Sequence, residues 1–574
     1  MKFFAALALV NIACFLPLYV LNFREQPNPF AFLGGSWRAA KPLLRLLYSR
    51  VRFTDPFRIN FDFTFLVLIA STLRPLPGWA VAALGVVLWL SWIEIVYATV
   101  MQVIFKRAPS LASDLSLLRT GWTVAHNYRY LIATLLAALV LGMAALSIFA
   151  AQQLLAMPSI SPGIAIAIAT ALLLPCFYHW QSYRYSSFVW RVVYSSTLHL
   201  LRNLRFSRRT QEILTRDEEF FASRNAFSQV EFEHRPTIVL VCIESYGSIA
   251  FADDLAHPVL SDRANESLRK LADAGYQVAS SFSEAPIFAG GSWLSFSSLT
   301  YGTRFDDAYV HDSLFSINSS FGAYESLFHI LERNGYSNNL LCPLGGVSSR
   351  YVNWDSLDRC FRPERKFDFD SLDYNGATYD FFVQNDLYAA PDQYALNYAY
   401  DTIRSAEDKP FSLFYCTLNS HYPWNDGPTF AEDWRTLGTS APEVPGDTGS
   451  KDINANYARS IRYQLDYVLD FAARHADDDL LLVVFGDHQP PFITPKSSGK
   501  HTPIHVLSRN PQLVEEFLEC GFAPTWSLAN ASIDPIRHEG FLSLLMRAMN
   551  RAFGTNPALP VEYSPAGTAL LREN

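Results

Sequence analysis

Residues 480–492 read LLLVVFGDHQPPF. The apolar run from Leu480 to Phe485 stops at Gly486, and Asp487 and His488 follow side by side before Gln489 and two prolines. A short apolar run bounded by turn residues reads as a strand buried on both faces. Its polar ending has two readings. The strand simply ends and polar residues begin, or the strand tip delivers two metal ligands. The rest of the chain has to decide between them.

From Pro236 onward, strand-like runs alternate with helical ones. The runs TIVLVCIES (237–245), YSNNLLCP (336–343), FSLFYCTLNSH (411–421), LLLVVFGDH (480–488) and HTPIHVLSR (501–509) read as strands. NESLRKLADAGY (265–276), YESLFHILERNGY (324–336) and YARSIRYQLDYVLDFAARHA (457–476) have helical spacing. Near-continuous apolar strands with helical crossovers predict an α/β domain, its central sheet mostly parallel and covered on both faces. Asp426–Asp452, rich in Pro, Gly, Thr and Asp, reads as a long surface loop.

Open parallel sheets bind ligands beyond the carboxyl ends of their strands. The first strand here finishes at Glu244-Ser245, the third at Asn419-Ser420-His421 and the fourth at Asp487-His488. One polar ending is noise, but three on one edge are hard to dismiss. Carboxylates with imidazole suit a zinc- or manganese-type ion, with magnesium a further option. A nucleophile is offered by GGSWLSFSSLTYGTRF (290–305), in which Ser292 stands where a helix can start. A helix N-terminus presents free N–H groups to a phosphate, and a Ser292 hydroxyl coordinated to the metal as a further ligand would be activated for attack. The bland alternative is that Ser292 is an N-cap.

The first 180 residues are different in kind. Apolar segments at Phe3–Asn22, Ile59–Leu73, Gly78–Phe105, Tyr130–Leu155 and Gly163–Trp180 predict a bundle of about five membrane spans, the second being short. Glu94 falls inside the third; it is either functional or hydrogen-bonded between helices. RLLYSRVRF (45–53) and VWRVVYSSTLHLLRNLRF (189–206) read as basic amphipathic helices lying along the membrane. The expected domains are therefore 1–183 in the membrane, 184–235 as interfacial helix and connector, and 236–574 as the catalytic unit.

Composition agrees with this division. Of 574 residues, 50% are hydrophobic and 17% charged, too apolar for an ordinary soluble enzyme and too polar for a pure transporter. A net charge of −8 argues against nucleic acid as a partner. The seven cysteines form no CxxC, which excludes zinc-ribbon and thioredoxin motifs. Cys342 and Cys360 flank a loop and are candidates for a disulfide in an exported domain.

Taken together, these stretches resemble the alkaline-phosphatase superfamily in its sulfatase-like membrane branch. That branch includes lipoteichoic-acid synthases, phosphoglycerol transferases of periplasmic glucans and phosphoethanolamine transferases of lipid A. LVCIESYGS (240–248) is similar to the first strand of the family, and the resemblance makes Glu244 a metal ligand. GGSWLSFSSLTYG is similar to the nucleophile segment, in which a Thr opens the helix and a Gly follows ten residues on, as Ser292 and Gly302 do here. FGDHQP (485–490) is similar to the family's Asp-His metal pair, Asp487 and His488. NSHYPW (419–424) looks like the strand end whose His, here His421, holds the substrate phosphate or a second metal. His501 matches a further family histidine, and RYVNWDSLDR (350–359) stands where the head group is bound, pointing to Arg350 and Trp354.

There are departures: Ser replaces the commoner Thr, and Gln489 stands where many members have Gly. Formylglycine sulfatases need Pro two and Arg four positions after the modified residue; Leu294 and Phe296 occupy them, which argues against that chemistry.

The resemblance implies a transferase of the bacterial inner membrane. Ser292 would take a phosphoryl-linked head group of phosphoglycerol or phosphoethanolamine type from a phospholipid donor and pass it to a glycan or lipid acceptor. The alternatives are a phosphodiesterase or sulfatase-like hydrolase, and a non-catalytic membrane scaffold. Sidedness is contested. Loop charges alternate so as to place the C-terminal half in the cytoplasm, with seven cations from Arg24 to Arg58 and six from Arg184 to Arg209. The resemblance places it in the periplasm or outside the cell. Interfacial helices hold arginines on either face, so the outside reading is preferred.

Overall fold

The computed structural model describes residues 2–23, 58–103, 129–178, 193–202 and 213–569, together with positions 109, 114 and 204. Within those ranges it omits 74, 159, 214, 253–254, 256–257, 317–318, 347–353, 381–386, 407–408, 423, 425–427, 440–451, 495–498 and 530. The chain divides into two compact units, Met1–Gln211 and Glu212–Asn574.

The first unit is helical: α1 (Lys2–Phe23), α2 (Phe61–Thr72), α3 (Gly78–Val103), α4 (Arg129–Ala156) and α5 (Pro162–Tyr178). Three of them, α1, α3 and α4, contain stretches long and apolar enough to cross a membrane. The expected second and fifth spans are shorter helices, of 12 and 17 residues. At a rise of about 1.5 Å per residue, α2 covers much less than the ~30 Å of a bilayer core. Asn60 starts it by accepting a hydrogen bond from the Phe63 N–H.

Glu94 on α3 accepts from the Tyr194 hydroxyl at 2.9 and 3.0 Å, which is the hydrogen-bonded reading of that residue. Of the two basic stretches, 45–53 lies outside the described residues. Of 189–206, Val193–Tyr194 pairs as a short parallel strand with Ile59–Asn60, and residues 196–202 are helical.

The second unit is built on an eight-stranded sheet. Its strands are β1 (Thr237–Ile243), β2 (Gln277–Glu284), β3 (Ser337–Leu341), β4 (Arg365–Phe367), β5 (Phe411–Cys416), β6 (Leu480–Gly486), β7 (His501–Ser508) and β8 (Ile536–Arg537). They lie in the order β8-β2-β7-β6-β1-β5-β3-β4. The sheet is mixed, because β7 runs antiparallel to both β6 and β2. HTPIHVLSR was expected among the parallel strands. The connection over 487–500 returns it beside β6 in the opposite sense.

Side-chain alternation explains why β6, and β1 beyond Thr237, are apolar on both faces. Ile238, Leu240, Leu481, Val483 and Phe485 enter one core, while Val239, Val241, Leu480, Leu482 and Val484 enter the other. Helices α6 (Ser292–Tyr301), α7 (Pro511–Glu519) and α8 (His538–Phe553) contribute to the first core. Helices α9 and α10 contribute to the second, and span Asp392–Ala406 and Ile453–Arg474 in turn. Each fully buried branched or aromatic residue contributes about 1.5–3 kcal/mol, so the two inner strands need no polar face.

The expected loop 426–452 contains a short 3₁₀ turn at Trp434–Gly438, and 440–451 lies outside the described residues. Cys342 and Cys360 are both free thiols, so the expected disulfide is not formed. Cys360 is buried on the helix Trp354–Phe361, its Sγ 3.6 Å from Ser297 Oγ.

Candidate metal centre and active site

β1, β5 and β6 are adjacent and parallel, so their carboxyl ends reach one edge of the sheet. Glu244 and Asp487 follow directly on β1 and β6, whose last residues Ile243 and Gly486 are paired in register. Gly486 is required there by close backbone approach. A Cβ at this position would lie 1.9 Å from the Tyr246 carbonyl oxygen. The glycine that ends the apolar run is thus the gap through which the turn after β1 passes.

Glu244, Asp487 and His488 are buried, and each offers a ligand atom within 4.8 Å of the others. His488 Nε2 lies 3.5 Å from Glu244 Oε1 and 3.3 Å from Asp487 Oδ2. The other ring nitrogen, Nδ1, lies 3.0 Å from the Gln489 carbonyl, which orients the imidazole with Nε2 toward the carboxylates. Asp487 Oδ1 accepts from the backbone N–H of Ser245 at 2.8 Å and of His488 at 2.7 Å. Asp487 Oδ2 is buried and accepts no hydrogen bond among the described residues.

Burial raises the Asp487 carboxyl to about 7, and the nearby Glu244 charge adds to the rise. At His488, burial opposes protonation, but the charges of Asp487 and Glu244 outweigh it and the pKa rises. Two carboxylates removed from water, one with an orphaned oxygen, and an imidazole turned toward both form a donor set that fits a divalent cation.

Ser292 is the first residue of α6. The N-cap is Gly291 in the left-handed region (φ 83°), with no side-chain cap, so the N-cap reading of Ser292 does not hold. Its half-buried hydroxyl is free for another bond and donates to Glu244 Oε2 at 3.0 Å. The neighbouring serines are fully buried and engaged elsewhere. Ser295 donates to the Asp487 carbonyl, Ser297 lies 3.0 Å from His311 Nε2, and Ser298 donates to the Leu294 carbonyl.

His421, five residues beyond β5, is half-buried, with Nδ1 2.6 Å from the Tyr422 carbonyl. Burial lowers its pKa to about 4, and the charges of His488 and Asp487 act on it too. His501 opens β7 opposite Glu284 and falls outside the cluster of Glu244, Asp487 and His488. Its backbone role as the paired first residue of an antiparallel strand accounts for its place. Trp354 opens the helix Trp354–Phe361, and Arg350 lies outside the described residues.

Several residues of the site carry no chemical signature in sequence. Ser245 sits in the left-handed region (φ 58°) and aims its N–H at Asp487. Thr417 accepts from the Glu244 N–H at 3.1 Å, and Ser420 donates to the Glu244 carbonyl at 2.7 Å. Buried Asp392 accepts from the N–H groups of Leu418 and Asn419, the Tyr415 hydroxyl and the Gln464 amide, fixing the loop that carries Thr417, Ser420 and His421. The one available signal was the run Thr417–His421 after an apolar strand, polar but for Leu418.

Residues 236–511 match the family model described as Sulfatase. No curated protein matches the chain. Among solved structures, the chain is similar to the integral membrane protein lipooligosaccharide phosphoethanolamine transferase A of Neisseria meningitidis. The identity is 14%, covering 92% of this chain and 95% of that one, with a TM-score of 0.43. It is similar to the C-terminal periplasmic domain of EptC from Escherichia coli at 14% identity, covering 59% of this chain and 89% of that one, with a TM-score of 0.34. It is also similar to the phosphoglycerol transferase GacH of Streptococcus pyogenes at 12% identity, covering 61% and 85%, with a TM-score of 0.31. The matched stretch, just under half of the chain, encloses Glu244, Ser292, His421, Asp487 and His488.

Proposed function

We propose that this protein is a membrane-anchored, metal-dependent transferase that moves a phosphoryl-linked head group from a phospholipid to a glycan or lipid acceptor. One observation carries the reading: among the serines of α6, Ser292 is the one whose hydroxyl reaches a side-chain carboxylate of the His/Asp/Glu cluster, 3.0 Å from Glu244 Oε2. Glu244, Asp487 and His488 would hold a divalent cation, zinc or manganese by donor type, with the Ser292 oxygen beside it. Such a cation supplies charge stabilisation to phosphoryl oxygens and lowers the pKa of a neighbouring hydroxyl.

In the first half-reaction Ser292 Oγ forms a bond to phosphorus, and the phosphorus–oxygen bond to the diacylglycerol breaks. The hydroxyl proton is aimed at Glu244 Oε2, and the departing glycerol oxygen takes up a proton. In the second half-reaction the acceptor hydroxyl attacks the phosphoserine, and the Ser292 oxygen leaves and is reprotonated. The N-terminus of α6 directs backbone N–H groups toward the phosphoryl oxygens. His421, uncharged at neutral pH, donates or accepts a hydrogen bond there rather than contributing a cation.

The unit boundaries proposed are a membrane region over 1–183, a connector over 184–235 and the catalytic region over 236–574. Arg350 and Trp354 are proposed to contact the head group, and His501 the substrate. We place the catalytic unit outside the cytoplasm of a bacterial inner membrane. Three crossings or five are both odd, so either count leaves the catalytic unit opposite the N-terminus.

Intact-mass analysis of the full chain incubated with phosphatidylglycerol or phosphatidylethanolamine vesicles tests the chemistry. A head-group mass on the peptide containing Ser292 is expected. Steady release of diacylglycerol with no such adduct, even after rapid quenching, would overturn the covalent route. An alkaline phosphatase fusion after Asn574 tests sidedness: activity is expected, and a silent fusion beside a fluorescent cytoplasmic reporter would reverse the assignment.

A further inference from the structure

Soluble surfaces rarely expose large aromatic side chains together. Among the described residues of the catalytic unit, three large hydrophobic residues are exposed: Tyr422, Ile453 and Phe492. Two of these are neighbours in space. The rings of Tyr422 and Phe492 lie 4.9 Å apart at 48°. Phe492 is 71% exposed, so its ring is held out rather than packed away. Both belong to the loops of the metal centre, since Tyr422 follows His421 and Phe492 lies four residues beyond His488.

The backbone is constrained to present them. Phe492 has φ 70° and Trp424 has φ 53°, values costly for bulky residues and tolerated where the surroundings enforce them. Trp424 anchors the pair from below. It is buried, meets Tyr422 edge-on at 5.2 Å and donates from Nε1 to the Ser420 carbonyl at 2.7 Å. Its ring packs on Tyr457, whose hydroxyl donates to the Ser245 carbonyl at 3.0 Å. The exposed pair is thereby tied to the backbone that orients Asp487.

We propose that Tyr422 and Phe492 form an aromatic wedge that enters the lipid interface and seats the mouth of the metal centre against the glycerol end of the donor. The proposal rests on the phospholipid-donor reading above. A donor phosphate lies at the membrane surface while its acyl chains stay in the hydrocarbon, so a site that attacks this phosphate has to come to the interface. Tyr and Phe are side chains that an interface accepts.

The test uses the full chain in vesicles of phosphatidylethanolamine and phosphatidylglycerol, with photoreactive benzoylphenylalanine in place of Phe492. Irradiation should give a lipid adduct at 492, about tenfold above the same group placed at exposed Glu266, the ratio a 1.4 kcal/mol preference produces. No lipid adduct above that control, or adducts confined to an added acceptor glycan, would overturn the wedge. This readout needs no turnover, so it fails independently of the transfer reaction. In the Tyr422→Ser, Phe492→Ser double variant, kcat/KM on vesicle donor should fall about tenfold relative to a short-chain soluble donor, by the same arithmetic. An unchanged ratio would also overturn the proposal, whatever the variant's overall stability.

Discussion

The backbone N–H of Ser245 donates to Asp487 Oδ1 at 2.8 Å, and it does so from a left-handed conformation with φ 58°. That bond joins the ends of two neighbouring strands. It leaves Asp487 Oδ2 as the oxygen turned toward His488. The strain at Ser245 and the aim of the candidate ligand are one arrangement.

Ser245→Val should therefore be worse than Ser245→Gly. Glycine adopts φ 58° readily and loses only the Oγ bond to Glu244 Oε1. Valine should cost about 1–2 kcal/mol more and rotate the N–H away from Asp487. Zinc titration calorimetry should show weaker binding in the valine variant than in the glycine variant. Equal affinities would show that the turn does not orient the ligand.

Ser292→Ala should lower kcat on the order of 10³-fold or more, while metal content persists. Ser297→Ala and Ser298→Ala should keep most of the activity, since those hydroxyls serve His311 and the helix backbone. Ser295→Ala removes a bond to the Asp487 carbonyl and should cost about 1 kcal/mol of stability. Single-turnover assays on the four variants check the ranking, and comparable loss in all four would detach activity from Ser292.

Divalent metal should stabilise the chain through Glu244, Asp487 and His488. Binding at 100 times Kd contributes about 2.7 kcal/mol, and a chelator should remove it with a fall of several degrees in Tm. Glu244→Ala, Asp487→Ala and His488→Ala should each flatten the dependence of Tm on metal concentration. A dependence retained in all three would place the ion elsewhere.

Acid should weaken the second unit through two buried histidines. Burial lowers both His505 and His538 to about 3. His505 is wedged between Tyr246 and Ser280 and stacks on Trp526 at 4.0 Å; His538 Nδ1 lies 2.7 Å from Ser283 Oγ. Each is neutral when folded, while the unfolded chain takes up a proton near pH 6.5. Their contribution is whole above pH 6.5 and is lost as pH falls toward 3, at up to about 1.4 kcal/mol per pH unit for each. Urea midpoints at pH 7 and pH 5 should differ accordingly, and His505→Gln should reduce the difference.

The identity of the chemical groups was legible in the amino-acid sequence. Apolar runs ending on Glu244 and on Asp487-His488, and a Gly-Gly-Ser opening a helix, are local signals, because strand burial and turn formation act over a few residues. The apolar segments of the first unit were equally visible, and helix length then separated α1, α3 and α4 from the shorter α2 and α5.

Tertiary structure alone decided the direction of β7, the free state of Cys342 and Cys360, and the separation of His501 from the metal cluster. It also decided which oxygen of Asp487 is held, which serine of α6 reaches Glu244, and that Tyr422 and Phe492 stand together in solvent. The physical reason is distance along the chain. Ser245 and Asp487 are 242 residues apart, and their hydrogen bond exists only once β1 and β6 have paired in register. Composition and periodicity specify which residues are buried, whereas register and backbone strain specify where their atoms point.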